Sequence, residues 1–196
     1  AEVCSGATTG SVSGVVGSGS ATIASGSLNL PVISNAGPVS GTVTLAGVPA
    51  GATVTDISVT LNMTHSWDSD ASISLTGPNG STIDLSSGNG GSGDNYTNTV
   101  FSSSTSSSIT SGSAPFTGTY LPEGSLSTFF AQPNGTYTLT AVDNVSGDNG
   151  NLQNFTVTVT YSYPQVILWF ADAAGTNLLG MGSSFDVVGS SVCASP

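Results

Sequence analysis

The sequence predicts an all-β chain folded as a two-sheet sandwich. Three observations predict it. Apolar residues recur at every second position in separate runs, most regularly Ile57, Val59, Leu61 and Met63 against Ser58, Thr60, Asn62 and Thr64. That period of two puts one set in a core and the other in water. Turn signals, Gly77-Pro78-Asn79-Gly80 and Gln132-Pro133-Asn134-Gly135, separate such runs, because Pro fixes φ and Gly or Asn accepts φ > 0. Nowhere does a helical period persist. With 37% apolar residues, the chain can fill the core of one large or two small domains.

Residues 1–27 are small and Gly/Ser/Ala/Val-rich, a flexible leader or a flanking strand whose register is weakly specified. Firmer structure begins at Leu28, and Val43 and Leu45 alternate with Thr42 and Thr44. The run from Ile57 continues through His65 and Trp67 with the inward parity, is broken by Asp68-Ser69-Asp70, and resumes at Ala71, Ile73 and Leu75. A long polar stretch follows Leu85, with Tyr96, Val100, Phe101, Ile109, Phe116 and Tyr120 as its anchors; a loop of that length is functional or an excursion between sheets. Alternation returns at Tyr137, Leu139 and Ala141 and again at Phe155, Val157, Val159 and Tyr161. The Thr residues between them read as the wet face of strands, where Thr is favoured, rather than as an ice- or glycan-binding array. From 163 to 196 the character changes, and the run Val166 to Phe170 reads as a strand buried on both faces. Trp67 and Trp169 both read as packed.

Charge narrows the function classes. There are eleven Asp and Glu and no Lys or Arg. Such a chain cannot neutralise phosphates, which excludes nucleic acid, nor be drawn to anionic lipid. No apolar run is long enough to insert in a membrane, and no basic-plus-apolar leader is present, as expected of an exported product. Cys4 and Cys193 sit near the two ends. They suggest an oxidising compartment and an internal bridge, against free thiols or links between subunits. A loop that long would give about 5 kcal/mol in the chain-entropy picture.

Residues 28–162 resemble the P domain, the jelly-roll-like sandwich beside the catalytic domain of proprotein convertases and many bacterial secreted proteases. The pieces run in the family's order: LNLPVISNAGPVSGTVTLAG, DISVTLNMTHSWDSDASISLTGPNGSTIDL, GSGDNYTNTVF, APFTGTYLPEGSLSTFF and PNGTYTLTAVDNVSGDNGNLQNFTVTVTY. The resemblance implies a P-domain-like sandwich with extra flanking strands at both ends, 1–27 and 163–196. The chain departs from the family where Phe101 is followed by SSSTSSS instead of acidic residues, which removes one expected calcium ligand. No run resembles the accompanying protease domain. WFADAAGTNLLGMGSSFDVVGSSV is similar to part of an Ig-like adhesin repeat.

Five aspartates are candidate calcium ligands: Asp68, Asp70 and Asp94 as a first group, Asp143 and Asp148 as a second. The resemblance places them near strand ends, and with no Lys or Arg to pair with, such carboxylates suit a hard cation bound with loop carbonyls. The competing reading is solvated turn aspartates. His65 with Asp68 and a serine would compose a triad only with a nucleophile elbow, which is missing, so a core histidine is expected and no catalysis. Glycosylation sequons stand at Asn62, Asn79, Asn95, Asn134, Asn144 and Asn154.

The expected function is therefore non-catalytic, secreted or cell-surface, and structural. One form is an adhesin segment or fibre subunit that self-associates through its flanking strands or binds another extracellular protein. The alternatives are an accessory P domain that stabilises or targets a secreted protease or hydrolase, and a carbohydrate-binding module with a glycan partner.

Overall fold

The structure is a computed structural model. It describes residues 9–11, 16–34, 36–164, 168–170, 178–181 and 184–186. The chain is all-β, with strands β1 (Thr9–Ser11), β2 (Val16–Ala24), β3 (Leu30–Ile33), β4 (Val39–Leu45), β5 (Thr53–His65), β6 (Ala71–Thr76), β7 (Thr82–Ser87), β8 (Tyr96–Ser102), β9 (Thr119–Tyr120), β10 (Gly135–Asp143), β11 (Asn149–Pro164), β12 (Leu168–Phe170), β13 (Leu178–Met181) and β14 (Ser184–Asp186). Its described helical pieces are the short 3₁₀ turns Asp68–Asp70, Ile109–Ser111 and Leu126–Phe129.

Two sheets form the sandwich. One has the order β4-β10-β6-β7; the other runs β2-β11-β5-β8-β9, with β3 also paired to β11. Their inner faces supply the core: Ile57, Val59, Leu61 and Met63 of β5, Ile73 and Leu75 of β6, Tyr137 and Leu139 of β10, and Phe155 and Val157 of β11 are all buried. The outer faces are paired by hydroxyls, as between Ser40 and Thr140 (2.9 Å), Thr44 and Thr136 (3.2 Å) and Thr76 and Thr82 (2.8 Å). These are cross-strand contacts that stabilise a sheet. The expected alternation is thus the observed one.

The chain divides into two units, 19–161 and 1–18 with 162–196. The first holds the sandwich core. In the second, β1 pairs with β14 and β12 with β13, both antiparallel. Cys4, Cys193 and the side chain of Trp169 lie outside the described residues.

The stretch after Leu85 is more ordered than its composition suggests. Tyr96–Ser102 forms β8 against β5, and Tyr96, Phe101, Ile109 and Phe116 are buried. Phe116 stacks on Tyr96 (centroids 4.9 Å apart) and meets Tyr120 edge-on (5.6 Å). The β5–β8 register shifts between Leu61 and Met63. Asn98 absorbs that shift with φ 47°, and its N–H donates to Asn62 Oδ1 (2.8 Å). A left-handed φ suits Asn.

Candidate functional site

Three segments meet at one end of the sandwich: the β5–β6 connection, the loop before β8 and the β10–β11 turn. Backbone bonds tie the first to the others. Asp68 N–H donates to Gly93 O (2.9 Å) and Ser69 N–H to Gly91 O (3.1 Å). On the other side, Ser66 N–H donates to Asn149 O (3.2 Å) and Asn144 N–H to Asp70 O (2.8 Å). Gly90 makes the close approach feasible. Its φ is +94°, and a Cβ there would lie 2.8 Å from both Asp68 Cβ and a Phe116 ring atom, so only glycine fits without displacement.

Asp68 is fully buried. Its Oδ1 accepts from Asn95 N–H (3.0 Å), while its Oδ2 has no partner. Burial pushes its pKa from 3.8 up to about 7; the Asn95 N–H opposes this, and the Asp94 charge adds to it. Asn95, at φ 75°, also accepts His65 N–H through its Oδ1 (3.0 Å).

His65 keeps the inward parity expected of it and is buried. Its Nδ1 lies 2.9 Å from the Trp67 carbonyl, and its Nε2 faces Asp143 Oδ2 at 3.7 Å. The latter is too long for a hydrogen bond, and both atoms are buried without a partner. A sealed ring held by the Trp67 backbone and facing Asp143 is a core histidine.

The five aspartates occupy different roles. The Asp94 charge reaches Asp68 and adds to the rise of its pKa. Asp143 faces His65 and accepts from Val145 N–H (3.1 Å). Asp148 accepts from Ser66 Oγ (2.9 Å). Asp70 contributes its backbone, with its N–H on Trp67 O (3.0 Å). Among the described residues, no three His, Cys, Asp or Glu gather closely enough to hold a metal. A calcium at Asp68 and Asp94 would therefore draw its remaining ligands from loop carbonyls and water. The orphaned Oδ2 of Asp68 fits such a role.

Trp67 departs from its expected packing. It is 43% exposed, and Val145 on the neighbouring turn is 50% exposed. The β5 alternation ends at His65 because the 3₁₀ turn Asp68–Asp70 begins, and Trp67 at its head turns outward. Sequence parity alone could not show this: the break stands at Asp68-Ser69-Asp70 as expected, but the strand before it ends two residues sooner than the alternation suggests, at His65 instead of Trp67.

The sequons are structural pins. Nδ2 of Asn62 donates to Asn98 and Asn154 (3.2 and 3.0 Å), that of Asn79 to Thr128 O (2.9 Å), and that of Asn134 to Val48 O (2.8 Å). Nδ2 of Asn144 donates to Asp70 O (3.1 Å) and Ser72 Oγ (2.9 Å).

A family model described as the proprotein convertase P-domain matches residues 54–159. Among solved structures, the chain is similar to the serine protease of Aeromonas sobria, at 14% identity and a TM-score of 0.42, over 75% of this chain and 27% of that one. It is similar also to the A. sobria serine protease in complex with the chaperone ORF2, at 16% identity and a TM-score of 0.42, with the same coverage. The chain thus spans about a quarter of those chains. No curated protein matches it.

Proposed function

The chain belongs to the proprotein convertase P-domain family, and from that membership we propose that it is a non-catalytic extracellular accessory domain that stabilises or targets a secreted protease or hydrolase. The family match is the observation that carries the reading. The geometry supports it in two ways. His65, the lone histidine, is sealed in the core. The exposed apolar residues Trp67 and Val145 lie on segments bonded to one another, a usable protein contact. Trp is the kind of residue that anchors interfaces. The test is co-expression with secreted proteases and hydrolases of the source organism, with and without Trp67→Ala. Loss of enzyme yield or association in the variant is expected; an enzyme indifferent to the whole domain sinks the reading.

A second reading, an adhesin segment or fibre subunit, is favoured by β2. That strand belongs to the Gly-rich N-terminal segment and adds to the edge of β11, so this segment can complete a sheet edge, and a neighbour's copy would do so in a fibre. Regular fibres in negative-stain micrographs support this; dispersed particles at high concentration oppose it. An aromatic at the surface also keeps the glycan-binding reading open to a glycan array, with Trp67 as its platform.

Calcium is proposed at Asp68 and Asp94. The ion would neutralise the two carboxylates and fix the loops around Trp67. Added calcium should raise the melting temperature of chelator-treated protein, and an unchanged value means the aspartates are ordinary turn residues.

A further inference from the structure

The four-stranded sheet has two edges, and among the described residues only one is protected. At β7 the pairing with β6 is bulged between Ile73 and Ser74, and Asp84 puts a charge on the strand. The N–H groups of Glu123 and Gly124 cover the carbonyls of Leu85 and Asp84 (3.4 and 2.7 Å), and Glu123 Oε1 accepts from Ser87 N–H (2.7 Å). Bulges, charges and covering loops are the devices that stop an edge from pairing with another chain.

Among the described residues the β4 edge has none of them. Its register with β10 runs unbroken from Leu45–Gly135 to Val39–Ala141. It contains neither proline nor charge. Among the described residues its backbone bonds only to β10. The surroundings are equally neutral. Residues 3–55 contain no Asp or Glu, so β2, β3 and β4 are uncharged, as is β11, and the only acid of β10 is Asp143 at its end.

We infer that β4 is a self-pairing edge, on which the β4 of a second copy of this chain adds antiparallel across a two-fold axis. Charge selects the place. A molecule of net charge −11 repels its copies generally, and two copies approach most easily where neither presents a carboxylate. Sequence makes the edge self-complementary. The outward residues Ser40 and Thr44 already pair through hydroxyls with Thr140 and Thr136, and Thr42 stands opposite Thr138 in the register. A two-fold axis at Thr42 sets Thr42 opposite its copy and Ser40 opposite Thr44, repeating the same hydroxyl pairs. Such an interface is isologous and closes as a dimer. It is independent of both readings above, since neither the enzyme contact at Trp67 nor the strand addition at β2 uses β4.

Sedimentation equilibrium of the full chain tests it. A reversible dimer is expected. Thr42→Glu should weaken it about fivefold, as one opposed like-charge pair across strands would. The triple change Ser40→Glu, Thr42→Glu, Thr44→Glu should weaken it by at least about tenfold, while Thr82→Glu on β7 leaves it unchanged. If the triple variant fails to fold, hydrogen exchange of the wild type decides, with protection of residues 39–45 expected to rise with concentration. A chain that stays monomeric up to about 1 mM, a dimer untouched by Thr42→Glu, or one broken by Thr82→Glu overturns the inference.

Discussion

Asp68 is a carboxylic acid placed where its charge is poorly solvated. Its folded pKa of about 7 lies above the ordinary 3.8, so between those values the folded chain holds a proton that the unfolded chain has released. Stability from this group is therefore full below about pH 4 and falls as pH rises toward 7. In chelator, the melting temperature should decline across that window. Asp68→Asn keeps the Oδ1 acceptor for Asn95 N–H and removes the charge, so it should flatten the profile and melt higher than wild type at pH 8. Bound calcium needs the ionised form, so saturating calcium should reverse the slope in the wild type and leave Asp68→Asn unaffected. Thermal scans against pH, with and without calcium, separate these outcomes. Gly150 poses a different constraint: a Cβ there would run into Thr64 O and the His65 ring. Gly150→Ala should cost about 1–3 kcal/mol by overpacking, read from denaturant unfolding.

At the scale of elements, what was legible in the sequence depended on periodicity. The strands β5, β10 and β11 bury one face and wet the other, so their alternation is written in Ile57 to Met63, Tyr137 to Ala141 and Phe155 to Tyr161. β8 was not legible, because the register shift opposite Leu61 and Met63 disrupts its alternation and Ser102 and Thr99 are buried beside Phe101. β2 was obscured by its glycines, which are small for a tertiary reason: a Cβ at Gly19 would lie 2.9 Å from the Tyr161 ring. At the candidate site, the sequence marked His65 and the aspartates but not the outward Trp67, since strand parity says nothing once the strand has ended. The 103–118 excursion is pinned through Phe116, which is buried between Tyr96 and Tyr120. Phe116→Ala should cost about 3–5 kcal/mol. It should also open 103–118 to proteolysis before the rest of the sandwich; uniform cleavage would mean that this stretch is not held by that ring.

For the whole molecule, the absence of Lys and Arg turns ordinary electrostatics around. Most proteins lose favourable ion pairs as salt is added. Here the only approach of a basic to an acidic side chain among the described residues is the long His65–Asp143 contact, and it is buried, where salt screens poorly. The other carboxylates meet no opposite side-chain charge, so their mutual effect is repulsion, greatest in the compact state. Screening shortens its reach from about 30 Å at 0.01 M salt to about 8 Å at 0.15 M. The melting temperature should therefore rise steadily over that range with sodium chloride, and the rise should shrink as the pH falls toward 4 and carboxylates protonate. The same screening weakens repulsion between copies, so dimerisation through β4 should strengthen with salt, where an interface built on opposite charges would loosen. A melting temperature that falls with salt would mean that favourable charge pairing outweighs the repulsion of eleven acids, and the assignment of β4 as the neutral approach between copies would lose its electrostatic ground.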